Sequence, residues 1–344
     1  VTYSSIGAVD ADSMKVTKST DGGATFGPSV VAIANYDNYY TGAPGFNRGR
    51  AVTFPAIAVD RSTGLNRGRV YVAVHDAVNF YGDALSSTAA ANSKTEVENN
   101  GNFANSTPFA VGQTLRGTVS STTDNDNWKF PTVQGQTYVF FVDSVRTTSF
   151  KYTLRIYCPN DTVAVSRLAL SSDGASSSSV NVHALIVWTA PTTGTYYLRM
   201  APSASTGGYR IRTATHTPVA SDRARDQRDA FVVASSDGVT WGAPVRVNDD
   251  LGLYDNWLPE VAVGCDGNPY AMWFDWRDTP ASCFGGSNIY VTRSTDGGAT
   301  WAANQAATSA TTANWTQVLS NIAPNQGDYN GMSGGTQLGL AWAD

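Results

Sequence analysis

The chain has 344 residues, of which 42% are apolar and only 15% charged, with a formal net charge of −5. An acidic chain without a clustered basic face excludes a nucleic-acid partner, and no apolar run reaches the roughly 20 residues of a membrane-spanning helix. The length suffices for two domains of ordinary size, and the abundance of Ser, Thr, Asn and Gly suits a β-protein kept soluble by hydroxyls and amides.

In chain order, the first strand-like run, Met14-Lys15-Val16-Thr17, leads into the phrase Ser19-Thr20-Asp21-Gly22-Gly23-Ala24-Thr25-Phe26. Asp followed by Gly-Gly supplies a side chain that can bond its own backbone and then residues that accept positive φ, which makes a hairpin turn. The Thr and the aromatic restart a strand and anchor the turn. The phrase returns as Ser294-Thr295-Asp296-Gly297-Gly298-Ala299-Thr300-Trp301 after Ile289-Tyr290-Val291-Thr292. A shortened copy, Ser236-Asp237-Gly238-Val239-Thr240-Trp241, follows Phe231-Val232-Val233.

A second repeat flanks these turns. Phe54-Pro55-Ala56-Ile57-Ala58-Val59 matches Leu258-Pro259-Glu260-Val261-Ala262-Val263. Val70 to Asp76 matches Pro269 to Asp275, and the run Gly339 to Asp344 matches the same element. One unit is therefore a strand with Pro near its start, a turn, a strand ending in Asp, a loop, a strand, the Asp-Gly turn and a last strand, which is the content of one four-stranded propeller blade. Residues 1–50 hold the second half of such a unit and 328–344 the first half, so the chain carries about three. Closed propellers have roughly four to eight blades, which implies further blades from a longer polypeptide or from another chain.

The unit between 51 and 250 is interrupted from about Ser86 to His216. The interruption opens with Ser86-Ser87-Thr88-Ala89-Ala90-Ala91-Asn92-Ser93, the composition of a flexible junction. Strand readings follow over Gly112–Val119, Gly135–Val142, Leu154–Tyr157, Ala184–Trp188, Gly194–Met200 and Gly208–Arg212. The expected organisation is an all-β chain with propeller blades in 1–88 and 217–344 and an inserted β-sandwich in 89–216.

The repeated Asp-Gly phrase resembles the Asp box, or BNR repeat, of sialidase-like β-propellers. The inserted series Glu96-x-Glu98-x-Asn100, Gly117-Thr118-Val119, Asp124-x-Asp126-x-Trp128-x-Phe130, Gly135-Gln136-Thr137-Tyr138, Gly194-Thr195-Tyr196-Tyr197-Leu198-Arg199 and Gly208-Tyr209-x-Ile211 resembles the bacterial pre-peptidase C-terminal domain. That likeness implies a secreted or cell-surface bacterial protein. The sialidase likeness implies three arginines on a substrate carboxylate, a Tyr–Glu nucleophile pair and an Asp acid/base. No arginine stands in the family's Arg-Ile-Pro setting. Arg61, Arg223, Arg225, Arg228 and Arg277 lack a diagnostic neighbourhood, so no catalytic residue is assigned.

Glu96, Glu98 and Asn100 alternate, so an extended segment points their oxygens to one side; Asp124 and Asp126 alternate likewise. Hard oxygen donors of this kind suit Ca²⁺, which takes six to eight, and calcium-binding relatives of the inserted domain use the same acidic linker and Asp-x-Asp turn. Gly101 departs from those relatives, which often place an acid there. The alternative is solvated acids on a linker and a turn-capping Asp.

Two readings also stand for the strand-end acids Asp76, Asp275 and Asp344, with Arg277 beside Asp275. They form a ring able to bind a sugar or a cation, or they are turn-forming residues held by backbone bonds; repetition in every unit favours the second. Trp257, Trp276 and Tyr329, with Asp275 and Arg277, are the candidate ligand-binding set. Among these Trp276 lies past a strand end as the better surface candidate, whereas Trp273 reads as core. Cys265 and Cys283 flank one strand pair and either bridge or stay free; Cys158 has no evident partner and reads as a buried small side chain.

Three functions fit: an extracellular or cell-surface binding protein for a glycan or protein ligand, a secreted exo-sialidase-type glycoside hydrolase, or a structural surface component.

Overall fold

The structure, a computed structural model, describes residues 1–6, 11–37, 54–76, 92–145, 150–159, 167–172, 184–203, 205–217, 228–250, 255–278, 286–309, 313–314 and 330–342. Among these the fold is all-β, without a helix. The first sheet holds β1 (Thr2–Ile6), β2 (Ala11–Val16) and β3 (Val30–Asp37) in sequence order. The half unit expected over 1–50 thus carries one strand more than the sequence repeat suggests.

After β4 (Ala56–Val59) and β5 (Val70–Asp76) the chain enters ten strands that pair only among themselves. These are β6 (Ser93–Thr95), β7 (Thr107–Pro108), β8 (Thr114–Val119), β9 (Asp126–Thr132), β10 (Thr137–Val145), β11 (Tyr152–Tyr157), β12 (Arg167–Ser172), β13 (Leu185–Thr189), β14 (Gly194–Pro202) and β15 (Gly207–His216). They form two five-stranded sheets, β13-β10-β15-β8-β6 and β12-β11-β14-β9-β7. Between them lies one core with Trp128, Phe130, Phe140, Tyr152, Leu198 and Ile211. Each large apolar side chain buried there contributes roughly 1.5–3 kcal/mol, and alternation on the strands puts it there: β14 reads buried at Tyr196, Leu198 and Met200 and partly open between.

The chain then returns to the sheet it left. β16 (Asp229–Ser235) pairs with β5 from Asp229↔Asp76 to Ser235↔Val70, so the two ends of the interruption meet at one rung. An insertion whose ends lie this close adds little loop-closure entropy. With β17 (Val245–Arg246) the sheet order is β17-β16-β5-β4. The next unit repeats it without interruption: β18 (Asn256–Val263), β19 (Pro269–Asp275), β20 (Gly286–Arg293) and β21 (Gln305–Ala306), with β22 (Ala313–Asn314) also on β20. A hairpin of β23 (Gly331–Ser333) and β24 (Gly339–Ala341) follows.

These four sheets stack in chain order through shared apolar seams. Met14, Val16 and Ile33 meet Val72, Val74, Phe231 and Val233; Tyr71, Ala73 and Val232 meet Val261, Ala271 and Trp273; Trp257, Met272 and Phe274 meet Met332, Leu340 and Trp342.

The Asp-Gly turns behave as their chemistry predicts. In the last copy Asp296 Oδ1 accepts the Ala299 and Thr300 amides at 3.0 and 2.9 Å, and its Oδ2 accepts the Thr300 hydroxyl at 2.6 Å. Ser294 Oγ accepts the Gly298 amide at 2.8 Å, with Gly297 and Gly298 at φ 74° and 92°. The middle copy keeps this scheme with Ser235, not Ser236, two residues ahead of Asp237, so the phrase is shortened by one glycine after the Asp alone. The first copy makes the same bonds through Ser19, Asp21 and Thr25 but is exposed, with Phe26 at 51%.

The cysteines resolve one open alternative and overturn one expectation. Cys265 sits on the β18–β19 turn as an exposed free thiol, so the Cys265–Cys283 bridge does not form. Cys158, expected as a lone buried thiol, belongs to a disulfide whose other half lies outside the described residues.

Candidate metal centre

The Glu96–Asn100 segment leaves β6 along the edge of β8, with Glu96 N donating to Arg116 O at 3.0 Å and Val97 N to Thr107 Oγ1 at 3.0 Å. Asn99, at φ 70°, then turns the chain inward, so that Asn100 is fully buried while Glu98 stays exposed. Asn127 Nδ2 fixes the turn by donating to Asn100 O at 2.6 Å. Extension and one left-handed residue thereby carry Glu96 and Asn100 to the start of β9, where Asp126 is also fully buried.

Glu96 is well supported. Its Oε1 accepts the Thr118 amide at 2.5 Å, and its Oε2 accepts the Tyr209 hydroxyl at 3.3 Å and Asn100 Nδ2 at 3.5 Å. Tyr209 Oη in turn accepts Trp128 Nε1 at 3.0 Å. Gly117 makes room for this, because a Cβ there would collide with the Tyr209 hydroxyl. Asp126 has less support: both its carboxylate oxygens and Asn100 Oδ1 are buried without a hydrogen bond, and the nearby Tyr209 hydroxyl, which would lower its pKa, donates to Glu96. Burial, then Glu96 beside it, pushes the Asp126 carboxyl up to about 9, and burial raises Glu96 as well. Two ionised carboxylates side by side with a single hydroxyl between them are costly, and a shared proton or a cation would relieve that cost.

Asp124 has another task. Its Oδ2 accepts the Ser120 amide and hydroxyl, each at 2.7 Å, and closes the turn before β9. Of the sequence-derived ligands, Glu96 contacts both Asn100 and Asp126, whereas the Asp124 carboxylate is engaged by Ser120 and Glu98 faces solvent. Among the described residues no three His, Cys, Asp or Glu come together tightly enough to hold a metal by themselves; the convergent donors are two acids and an amide oxygen. Tyr209 and Gly117 were not among the expected site residues, although both lie in the motifs that suggested the domain.

The other candidate set lies on the repeat unit. Asp275 is buried at the end of β19, and its Oδ2 accepts Arg277 Nε and Nη2, Asn256 Nδ2 and Trp273 Nε1 at 2.8–3.0 Å. Its Oδ1 accepts the Arg277 amide at 2.8 Å. Arg277 also reaches Asp249 Oδ1 at 2.6 Å and Asn304 Oδ1 at 2.9 Å and stacks over Tyr290 at 4.1 Å. Burial raises Asp275 to about 6, against the pull of Arg277. This guanidinium fork is occupied from inside the protein, which suits the turn-forming reading of the strand-end acid. Trp257 and Trp276, expected at the surface, are buried in the seam core, Trp276 at 4% exposure, because the bend after Asp275 folds it back under β18; neither offers a stacking face. Tyr329 and Asp344 lie outside the described residues. Arg228, another spare arginine, is buried and paired with Asp255 at 3.0 Å.

No protein-family model matches the sequence, and no curated protein matches it either. Among solved structures, the chain is similar to the pre-peptidase C-terminal domain of a collagenase from Bacillus anthracis, at 16% identity over 31% of this chain and 93% of that one, with a TM-score of 0.25. It is also similar to the intramolecular trans-sialidase from Ruminococcus gnavus, solved with oseltamivir carboxylate, at 12% identity over 90% of this chain and 67% of that one, with a TM-score of 0.21.

Proposed function

We propose that this chain is a secreted or cell-surface binding protein in which an Asp-box, propeller-type scaffold carries an inserted sandwich stiffened by calcium. The observation that carries the metal reading is the trio of donorless buried oxygens, Asp126 Oδ1 and Oδ2 and Asn100 Oδ1, beside the Glu96 carboxylate. A buried acid without a donor is stable when protonated or when it coordinates a cation. An all-oxygen donor set favours Ca²⁺ over the softer transition metals. Glu96, Asn100 and Asp126 would hold the ion, which would supply the missing positive charge and tie the 96–100 segment to β9. Calcium titration of the full chain by calorimetry tests this directly. Binding that disappears in Asp126→Asn supports it, and no heat at millimolar calcium removes it.

The ligand we propose for the scaffold is a glycan or a protein, with no catalytic role assigned. The internal pairing of Arg277 and Arg228 supports a binding role over hydrolysis, because a sialidase site needs arginines free to clamp a carboxylate. A glycan array separates ligand binding from a purely structural surface role, and turnover of a fluorogenic sialoside would restore the hydrolase reading.

A further inference from the structure

The repeat places Glu260 where the preceding unit has Ala56. Phe54-Pro55-Ala56-Ile57 and Leu258-Pro259-Glu260-Val261 align residue for residue on β4 and β18. Ala56 is buried in the seam between its own sheet and the next. Glu260 pairs with Met272 and shares its face, and Met272 belongs to the seam that Met332, Leu340 and Trp342 close from the β23–β24 hairpin. The inner strand of one unit therefore sets an acid against an apolar seam at a position where its sister has a methyl.

The backbone around Glu260 is unusual. The β18–β19 register slips between Trp257 and Glu260, and Leu258 has φ 51°, in the left-handed region that a bulky side chain rarely adopts. The hairpin is fastened at this distortion. Asn330 Nδ2 donates to Leu258 O at 2.7 Å, Cys265 N donates to Gly335 O at 2.9 Å, and a Cβ at Gly334 would collide with the Val263 carbonyl. The Glu260 side chain makes no hydrogen bond or ion pair among the described residues. Of the titratable groups nearby, Tyr270 and Arg293, farther along the same face, engage each other and Asp266, and Asp275 is locked by Arg277. β23 and β24 bring no ionisable side chain, and β4 brings none to the opposite face.

We propose that Glu260 makes the docking of the β23–β24 hairpin on β18 pH-dependent, firm in mild acid and loosened toward alkaline pH. Burial alone raises its carboxyl from 4.5 to about 7 in the docked state. Released, the acid ionises at its ordinary value, so docking takes up a proton between those two values. The stabilisation is complete below the lower one and is lost as pH rises through the upper. Ala56 at the sister position shows that the seam itself has no need of a carboxyl.

The test is hydrogen exchange on the full chain between pH 5 and 8, corrected for intrinsic rates and read at the amides of 331–333 and 339–341. Since Glu260 keeps part of its surface in water, the expected rise in opening is about tenfold. The rise should vanish in Glu260→Gln and in Glu260→Ala, and the Ala271–Phe274 amides of β19 should not share it. A flat wild-type profile, an equal rise in either variant, or an equal rise in β19 would overturn the proposal.

Discussion

Asp126 and Asp275 are both fully buried acids, one at the start of a strand and the other at the end of one, and their surroundings are opposite. Asp275 collects donors from Arg277, Asn256 and Trp273, and the ring of contacts continues through Asp249 and Asn304. Asp126 faces the Glu96 carboxylate, with the one nearby hydroxyl, that of Tyr209, donating to Glu96. The first arrangement is complete without a ligand, as expected of a buried charge that serves the fold. The second is complete only with a proton or a cation. A buried acid therefore points to a ligand by lacking donors, not by being buried or by lying near other acids.

That contrast breaks first at Asp275. Replacing it with Ala strips the acceptor from a half-buried guanidinium and from a buried amide and indole, and is expected to destabilise the unit by about 3 kcal/mol in urea unfolding; a loss below about 1 kcal/mol would mean that the network is incidental. Asp126→Asn should do the reverse in chelator, because an amide can donate to Glu96: the apo protein becomes more stable by about 1 kcal/mol. In calcium the same variant forgoes the gain of about 2.7 kcal/mol expected for a site at a hundred times its Kd. Thermal unfolding with and without calcium reads both.

Smaller effects separate the turn copies. Ser294 is buried and bonds both Asp296 and the Gly298 amide, so Ser294→Ala should cost about 1–2 kcal/mol. Ser19 makes the same bonds in the exposed first copy, and Ser19→Ala should cost less than about 0.5 kcal/mol. The Asp residues of all three turns sit well below the usual carboxylate range, held there by the following Thr. They support the turns fully above the ordinary aspartate value and lose that support progressively as pH falls from there through their lower folded values, so all three copies should loosen together in strong acid, measured by circular dichroism below pH 4.

Much of this was legible in the sequence because turn chemistry and period are local. The Asp-Gly phrases, the Pro-started strands and the alternating runs of the insert name their own conformations, and they led to the repeat unit; the alternating acids put forward Glu96, Glu98, Asn100, Asp124 and Asp126 together. What failed was side-chain direction past a strand end. Trp276 reads as surface because it follows Asp275, yet the Arg277–Asp275 contact turns the chain so that the indole packs inward. Glu98 fits the period of Glu96 and Asn100, but the left-handed Asn99 ends the extended geometry on which that period depends. The part played by Tyr209 was beyond reach, since it comes from a strand far along the chain and meets Glu96 only through the β8–β15 pairing.

The most direct test is the melting temperature of the full chain in calcium and in excess chelator, for wild type and Asp126→Asn. Calcium-dependent stabilisation of the wild type, absent from the variant, is the expected result. Equal melting of the wild type in both buffers, or a calcium shift that survives the substitution, would contradict a metal held by Glu96, Asn100 and Asp126.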